Sequence, residues 1–319
     1  MSTAAQFQAV GDILDAWRDD VLSGKPPTLY PVGAGELGRI EIGLGLVTLI
    51  GGAPGAGKTA LVMQWVLDAL AITPGLKALV CNVEMSPSIL LDRQLSRLAD
   101  IDLSLIRHRR LTARHADPVE RGMRALDDLA DRLAFARPPY NLGNVAASAD
   151  AFDAGPFVLD YIQRIGPAGE HDDRRRAVAE AMSYLRQFAD AGVAIIVVAA
   201  LARSKDSKGR SSYSDGLSLA SFRETSELEY GADDAFILAP ADDAESEGDA
   251  PSRVVLKHLK SRYGETRDIA LIFHRKHQRF TPAEPAGPAP RADGGKLQAA
   301  LRDLWAKTCP ARDGVDESW

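Results

Sequence analysis

Cysteine occurs only twice in this chain of 319 residues, as Cys81 and Cys309. Neither has the spacing of a metal ligand, and two cysteines make no disulfide framework. No apolar run approaches the ~20 residues that a helix needs to cross a bilayer. The first residues, Met-Ser-Thr-Ala-Ala-Gln, show no basic stretch followed by an apolar one. A secretory signal is therefore not expected, and the reading is a cytoplasmic protein with no membrane partner. Positive charge is short as well: 38 Lys and Arg against 44 Asp and Glu leave a net charge of −6. That excludes a globally basic nucleic-acid binder. It does not exclude a protein that keeps its basic residues on a few inner loops. Internal repeats are missing too. The apolar fraction, 45%, is still ample for a large core.

What the chain does contain is a complete phosphate-cradling loop. Gly52-Ala53-Pro54-Gly55-Ala56-Gly57-Lys58-Thr59 fills every required position of Gly-x-x-x-x-Gly-Lys-Thr, with Ala60 following. Before it, Leu46 to Ile50 reads as a buried strand. After it, Leu61, Trp65, Val66 and Leu70 recur at helical spacing. A strand, a glycine loop and a helix aim backbone N–H groups and a helix N-terminus at phosphate oxygens. Lys58 would reach the β- and γ-phosphates of ATP, and the Thr59 hydroxyl would take a position on Mg²⁺.

From Ile40 to Phe280, strand-like and helix-like segments alternate, which predicts an α/β fold with a mostly parallel sheet. Strands are expected at 46–51, 77–83, 156–160, 193–199, 235–239, 252–258 and 268–274. The last two read as an antiparallel hairpin joined around Ser261 to Thr266. Helices are expected at 59–71, 87–98, 118–134 and 173–191. Residues 4–22 form an amphipathic pattern, ended by Pro26-Pro27, whose apolar side must dock on its own core or on a neighbour. Residues 281–295 are rich in Pro, Ala and Gly and read as a linker; 296–307 could form a short helix. This divides the chain into 1–26, 27–281 and 282–319.

Two acids complete the expected chemistry. Pro156-Phe157-Val158-Leu159-Asp160 is an apolar strand that ends in a carboxylate, the form of a metal-holding strand. Leu79 to Glu84 is another. Strand C-termini of a parallel sheet share one edge with the phosphate loop, so Glu84 is the candidate for polarising the attacking water. The bland alternatives are a strand that merely ends in a polar residue, and a carboxylate near the start of the next helix. Two loops are strongly charged: Arg203 to Arg210, basic, with Lys205 and Lys208; and Asp242 to Asp249, acidic. A solvated surface is the ordinary reading of such runs.

Five ordered segments resemble the C-terminal, RecA-like ATPase domain of DnaB-type replicative helicases. They are the phosphate loop; Val83-Glu84-Met85-Ser86; Leu159-Asp160-Tyr161-Ile162-Gln163; the stretch Leu219 to Tyr230, which contains Arg223-Glu224-Thr225-Ser226; and Lys260-Ser261-Arg262 followed by Tyr263-Gly264-Glu265-Thr266. The resemblance runs from about Pro27 to Thr281. It implies a P-loop NTPase core in a hexameric ring, with ATP and Mg²⁺ between subunits and single-stranded DNA in the pore. Lys260 and Arg262 would then act on a neighbour's γ-phosphate. Arg223 would contact the DNA backbone, with Glu224 orienting its loop and Ser226 beside it. Arg203, Lys205, Lys208 and Arg210 would add charge toward phosphate. The tail beyond 282 would suit a loader or other replication partner.

Two departures from the family pattern bear on function. Ala200 stands where the family carries a glutamine thought to sense the γ-phosphate, and an apolar side chain cannot make that hydrogen bond. Ser226 replaces a glycine. Two functions therefore compete: an ATP-driven translocase or helicase on single-stranded DNA, and a nucleotide-switched scaffold with weak or uncoupled hydrolysis. A third reading is a recombination- or clock-type ATPase, against which the Arg223 segment argues.

Overall fold

The computed structural model describes residues 8–166, 174–202, 204–205, 211–212, 217–222, 227–241 and 251–283. The chain divides into two units, one of residues 28–287 and one of residues 1–27 with 288–319. In the second unit, the described part is helix α1 (Val10–Ser23) and its flanks. It has no buried residue, and Val10 and Trp17 are exposed. It begins later than the pattern from residue 4 suggested. Its end is set by Gly24, in the left-handed region at φ 64°, two residues before Pro26-Pro27. Glycine adopts that backbone without a Cβ clash, so the cap acts before proline is reached.

The larger unit is built on a nine-stranded sheet ordered β11-β10-β9-β8-β1-β5-β4-β2-β3. In chain order its strands and helices are β1 (Val47–Gly52), α2 (Lys58–Ile72), β2 (Ala78–Asn82), α3 (Pro87–Ala99), α4 (Leu103–Arg107), α5 (Ala116–Asp127), β3 (Leu133–Phe135), α6 (Leu142–Phe152) and β4 (Pro156–Asp160). They continue with α7 (Arg174–Asp190), β5 (Ala194–Ala200), the two-residue pair β6 (Ser204–Lys205) and β7 (Ser211–Ser212), α8 (Glu227–Gly231), β8 (Asp234–Pro240), β9 (Ser252–Ser261), β10 (Ile269–His274) and β11 (Arg279–Pro282). Strands β8, β1, β5, β4, β2 and β3 run parallel. Strand β9 pairs antiparallel with β8, β10 with β9, and β11 with β10. This is the RecA-like α/β architecture with a C-terminal antiparallel hairpin.

Both faces of the sheet are covered, which is why its central strands are apolar without alternation. One core packs α2, with Leu61, Trp65 and Leu70, against Ile50, Val80 and Val198. The other packs α7, with Met182 and Leu185, against Leu49, Leu159 and Val197. Helix α2 is buried from Ala60 to Leu67, so its apolar residues surround it rather than forming a stripe.

Several boundaries differ from the periodicity. The helix expected over 118–134 stops at Asp127, and Leu133–Phe135 pairs with Ala78–Val80 as edge strand β3. A three-residue strand is too short to show a period, and its pairing partner lies far away in sequence. The sheet also runs past Thr281, because Pro282 pairs with Leu271 at an edge where its missing N–H costs nothing. Helices α4 and α6 carried too weak a pattern to be read. The basic 206–210 run, the acidic 242–249 loop and the tail from 284 lie outside the described residues.

Candidate active site

Register brings the predicted chemistry to one edge of the sheet. Gly52 at the end of β1 is level with Ala200 of β5; Val198 of β5 is level with Asp160 of β4, and Asp160 with Asn82 of β2. The loops that leave these strand ends line one cavity of about 430 Å³, within the size of small-molecule sites. Pro54, Gly55, Gly57, Lys58, Thr59, Glu84 and Asp160 all face it. Ala53 and Ala56 complete the loop, and Ala60 is buried in the first turn of α2.

The loop needs its glycines for different reasons. Gly57 caps α2 at φ 101°, and a Cβ there would lie 2.9 Å from the Phe280 ring. A Cβ on Gly52 would lie 2.9 Å from the Leu238 carbonyl oxygen. Lys58 folds back over the loop and donates to Gly52 O at 2.7 Å and Ala53 O at 3.0 Å. Burial lowers its affinity for the proton, opposed by the charges of Asp160 and Glu84. Its hydrogen bonds go to carbonyls, leaving the ammonium available to an anion.

Asp160 is buried, and its Oδ2 accepts from the Thr59 hydroxyl at 2.6 Å and from Asn82 Nδ2 at 2.7 Å. Burial raises its pKa above the usual carboxylate value; Thr59 and Lys58 oppose the rise, and Glu84 adds to it. Asn82 turns its other amide atom to the next segment, where Oδ1 accepts from the N–H groups of Glu84 and Met85 at 3.0 and 2.7 Å. One asparagine therefore fixes the Glu84 segment relative to Asp160. Sequence reasoning passed over it; a polar residue in an otherwise apolar strand end was the available signal. Cys81, beside it, is a buried thiol pushed up to about 12 by burial and the nearby Asp160, and is therefore inert at neutral pH.

The third wall was also missed. Phe273, Arg275 and Gln278, from the β10–β11 turn, line the same cavity. Phe273 and Phe280 stack at 4.2 Å, Arg275 lies 5.0 Å over Phe273, and Arg275 Nη1 donates to Gly55 O at 2.9 Å. Gln64 of α2 holds this strap by a reciprocal pair to Phe280, both bonds 2.9 Å.

Other predicted residues lie elsewhere. Lys260 and Arg262 do not line this cavity. Lys260 donates to the carbonyls of Glu229 within α8 and Ala232 just past it, each at 2.7 Å. Arg262 lies 3.0 Å from buried Asp233, and its own side chain is 40% exposed. Asp233 also accepts from Val47 N at 2.8 Å and Arg186 Nη1 at 2.6 Å. Ala200 lines the cavity, and its backbone is bound on both sides by the Gln163 amide, at 3.1 and 3.3 Å. Arg203, Lys208, Arg210, Arg223, Glu224 and Ser226 lie outside the described residues, and only the backbone of Lys205 is within them. The bridge between Leu201 and Phe222 joins the segments from which those two loops depart.

The residues present fit a nucleoside triphosphate with Mg²⁺: a cradle that excludes Cβ atoms, a lysine held only by carbonyls, and a hydroxyl–carboxylate pair of hard oxygens. Among the described residues there is no cluster of three or more His, Cys, Asp and Glu that could hold another metal, and no helix long and apolar enough to cross a membrane.

Residues 33–282 match the model of the family described as DnaB-like helicase C terminal domain. No curated protein matches the sequence. Among solved structures, a DnaB-like replicative helicase studied with its primase interactions superposes with a TM-score of 0.72 at 18% identity, over 88% of this chain and 68% of that one. A solved ATPase domain superposes with 0.71, also at 18% identity, over 88% of this chain and all of that one (100%). At such identity the two superpositions speak for the fold.

Proposed function

The chain belongs to the family of DnaB-like helicase C-terminal domains, a helicase-type ATPase fold, and on that premise we propose that it hydrolyses ATP to move along single-stranded DNA as a hexameric ring. The observation that carries the reading is the convergence of Lys58, Thr59, Glu84 and Asp160, from three separate strand ends, on one cavity. Residues 27–281 would be the motor, with 1–26 and 282–319 as appendages for neighbours and replication partners, and its work would lie in the cytosol.

In this reading Lys58 and the loop N–H groups bind and orient the phosphates. Mg²⁺, when bound, would supply charge neutralisation at the phosphate oxygens, held by Thr59 and Asp160. Glu84, exposed at the cavity mouth and fixed through Asn82, orients water and receives its proton. Arg262 lies away from its own cavity, exposed, as a group serving an adjacent subunit would. Arg223 and the basic 203–210 run would meet the DNA backbone.

The nucleotide-switched scaffold remains the second reading, because Ala200 brings an apolar side chain to the cavity wall. The deciding measurement is ATP turnover with and without single-stranded DNA, at stated salt, on protein of measured mass. The motor reading expects DNA stimulation in a hexamer, and a fall of roughly 10²-fold or more on Glu84→Gln with nucleotide binding retained. Turnover without stimulation supports the switch. Absence of single-stranded DNA affinity at low salt removes both DNA roles.

A further inference from the structure

Paired register between β9 and β10 ends at Leu256 and Ile269, short of the turn that carries Arg262. Beyond it, His258 stands in for the ladder. Its backbone N–H donates to Asp268 Oδ1 at 3.0 Å, and its ring Nδ1 accepts from the Arg267 N–H at 3.3 Å. An Nδ1 that accepts leaves the proton on Nε2, which faces Asp234 Oδ1 at 3.0 Å. The ring also stacks on Phe236, with centroids 4.3 Å apart. Both side chains of the pair are enclosed, His258 at 12% and Asp234 at 4% exposure. One imidazole thus ties the return arm of the hairpin to β8. The tie falls at a break in the pairing. Phe236 is level with His258, but Ala235 is level with Lys260, so Leu259 is the extra residue of a β-bulge. In unbroken alternation Lys260 would share the face of His258 and Phe236. The bulge turns it to the other face, where Leu259 packs on the core of Leu228 and Ala235, and Lys260 reaches the Glu229 and Ala232 carbonyls. Arg262, just beyond, donates its backbone N–H to Asp233 O at 2.9 Å. The aim of both basic residues therefore depends on the bulge that His258 adjoins.

We infer that His258 is a positioning residue for hydrolysis: it fixes the bulge and the return arm so that Lys260 and Arg262 are presented to the adjacent subunit's nucleotide. The inference rests on the proposed role of those two residues in trans and adds the part that aims them. His258 does not line the phosphate-loop cavity, so its loss leaves the nucleotide contacts of its own subunit intact. What it changes is the rate. A finger acts on charge that develops at the γ-phosphate, and a misplacement of about 1 Å can cost roughly 10²-fold.

The test uses the full chain with His258→Phe, alone and combined with Arg262→Ala, measuring kcat, ATP affinity and melting temperature. Phenylalanine keeps a ring against Phe236 and removes both ring hydrogen bonds. His258→Phe is expected to lower kcat by roughly 10- to 10²-fold, with ATP affinity within about twofold of wild type. Histidine and finger act as one unit, so the double variant should be scarcely slower than Arg262→Ala alone. His258→Gln, which again offers a donor and an acceptor, should recover part of the rate. His258→Asn, too short to span both partners, enters the same cycle if the Phe variant does not fold. Wild-type turnover in His258→Phe, beside a loss in Arg262→Ala, would overturn the inference and leave the ATPase reading standing. Losses that multiply in the double variant, or an ATP affinity that falls along with kcat, would overturn it too, since the histidine would then serve the fold at large. Wild-type turnover in Arg262→Ala would remove the finger and this inference together. A wild-type protein that does not hydrolyse ATP would remove the ATPase reading as well.

Discussion

Asp160 is a carboxylate kept where it does not want to be ionised. Its folded pKa is raised by burial, so the nucleotide-free protein holds its proton more tightly than the unfolded chain does. The stabilising contribution is then present at acid pH, below the unfolded value, and is lost as pH rises through the folded value. At neutral pH the ionised group costs stability. Asp160→Asn keeps an acceptor for Thr59 and Asn82 and removes that cost. It should raise the melting temperature of the nucleotide-free protein by a few degrees near pH 7.5, with the gap narrowing as pH falls toward the ordinary Asp value of about 3.9, while turnover falls by roughly 10²-fold or more. A variant that melts lower at neutral pH would show that ionised Asp160 is not strained. Lys58, Thr59, Glu84 and Asp160 were legible in the sequence because each stands at a fixed offset from a strand end. Asn82 and Phe273 were not, because what they do is settled by which side chain stands opposite them.

At the scale of elements, the parallel strands and the phosphate-loop helix were readable from apolar runs. Strand β3 and strap β11 were not, since both are short and owe their existence to distant partners. Strap β11 depends on the two hydrogen bonds that Gln64 makes with Phe280. Gln64→Leu keeps volume but leaves a buried N–H and C=O unpaired, each worth about 1–3 kcal/mol. The urea midpoint should fall at an unchanged m-value, and nucleotide affinity should weaken, because Phe273 and Phe280 press on Gly57. An unshifted midpoint would mean that the strap is held by its ring stack and sheet pairing alone.

At the scale of the whole molecule, the expected ring predicts complementation. Arg262→Ala should bind ATP but hydrolyse it about 10³-fold more slowly, the scale of an arginine finger. Mixing it with Lys58→Ala should restore part of the activity, because each variant supplies what the other lacks. A mixture as inactive as its components, on protein of monomeric mass, would place the finger's action within one chain. The anchoring of that finger carries a further consequence. Asp233 sits against Arg262 on one side and grips the first residue of β1 on the other. Were Arg262 to serve a neighbour's nucleotide, drawing it outward would tug at the root of the strand that bears its owner's phosphate loop. In a closed ring each subunit would then feel the state of the next through this joint, a mechanical link from one phosphate loop to its neighbour.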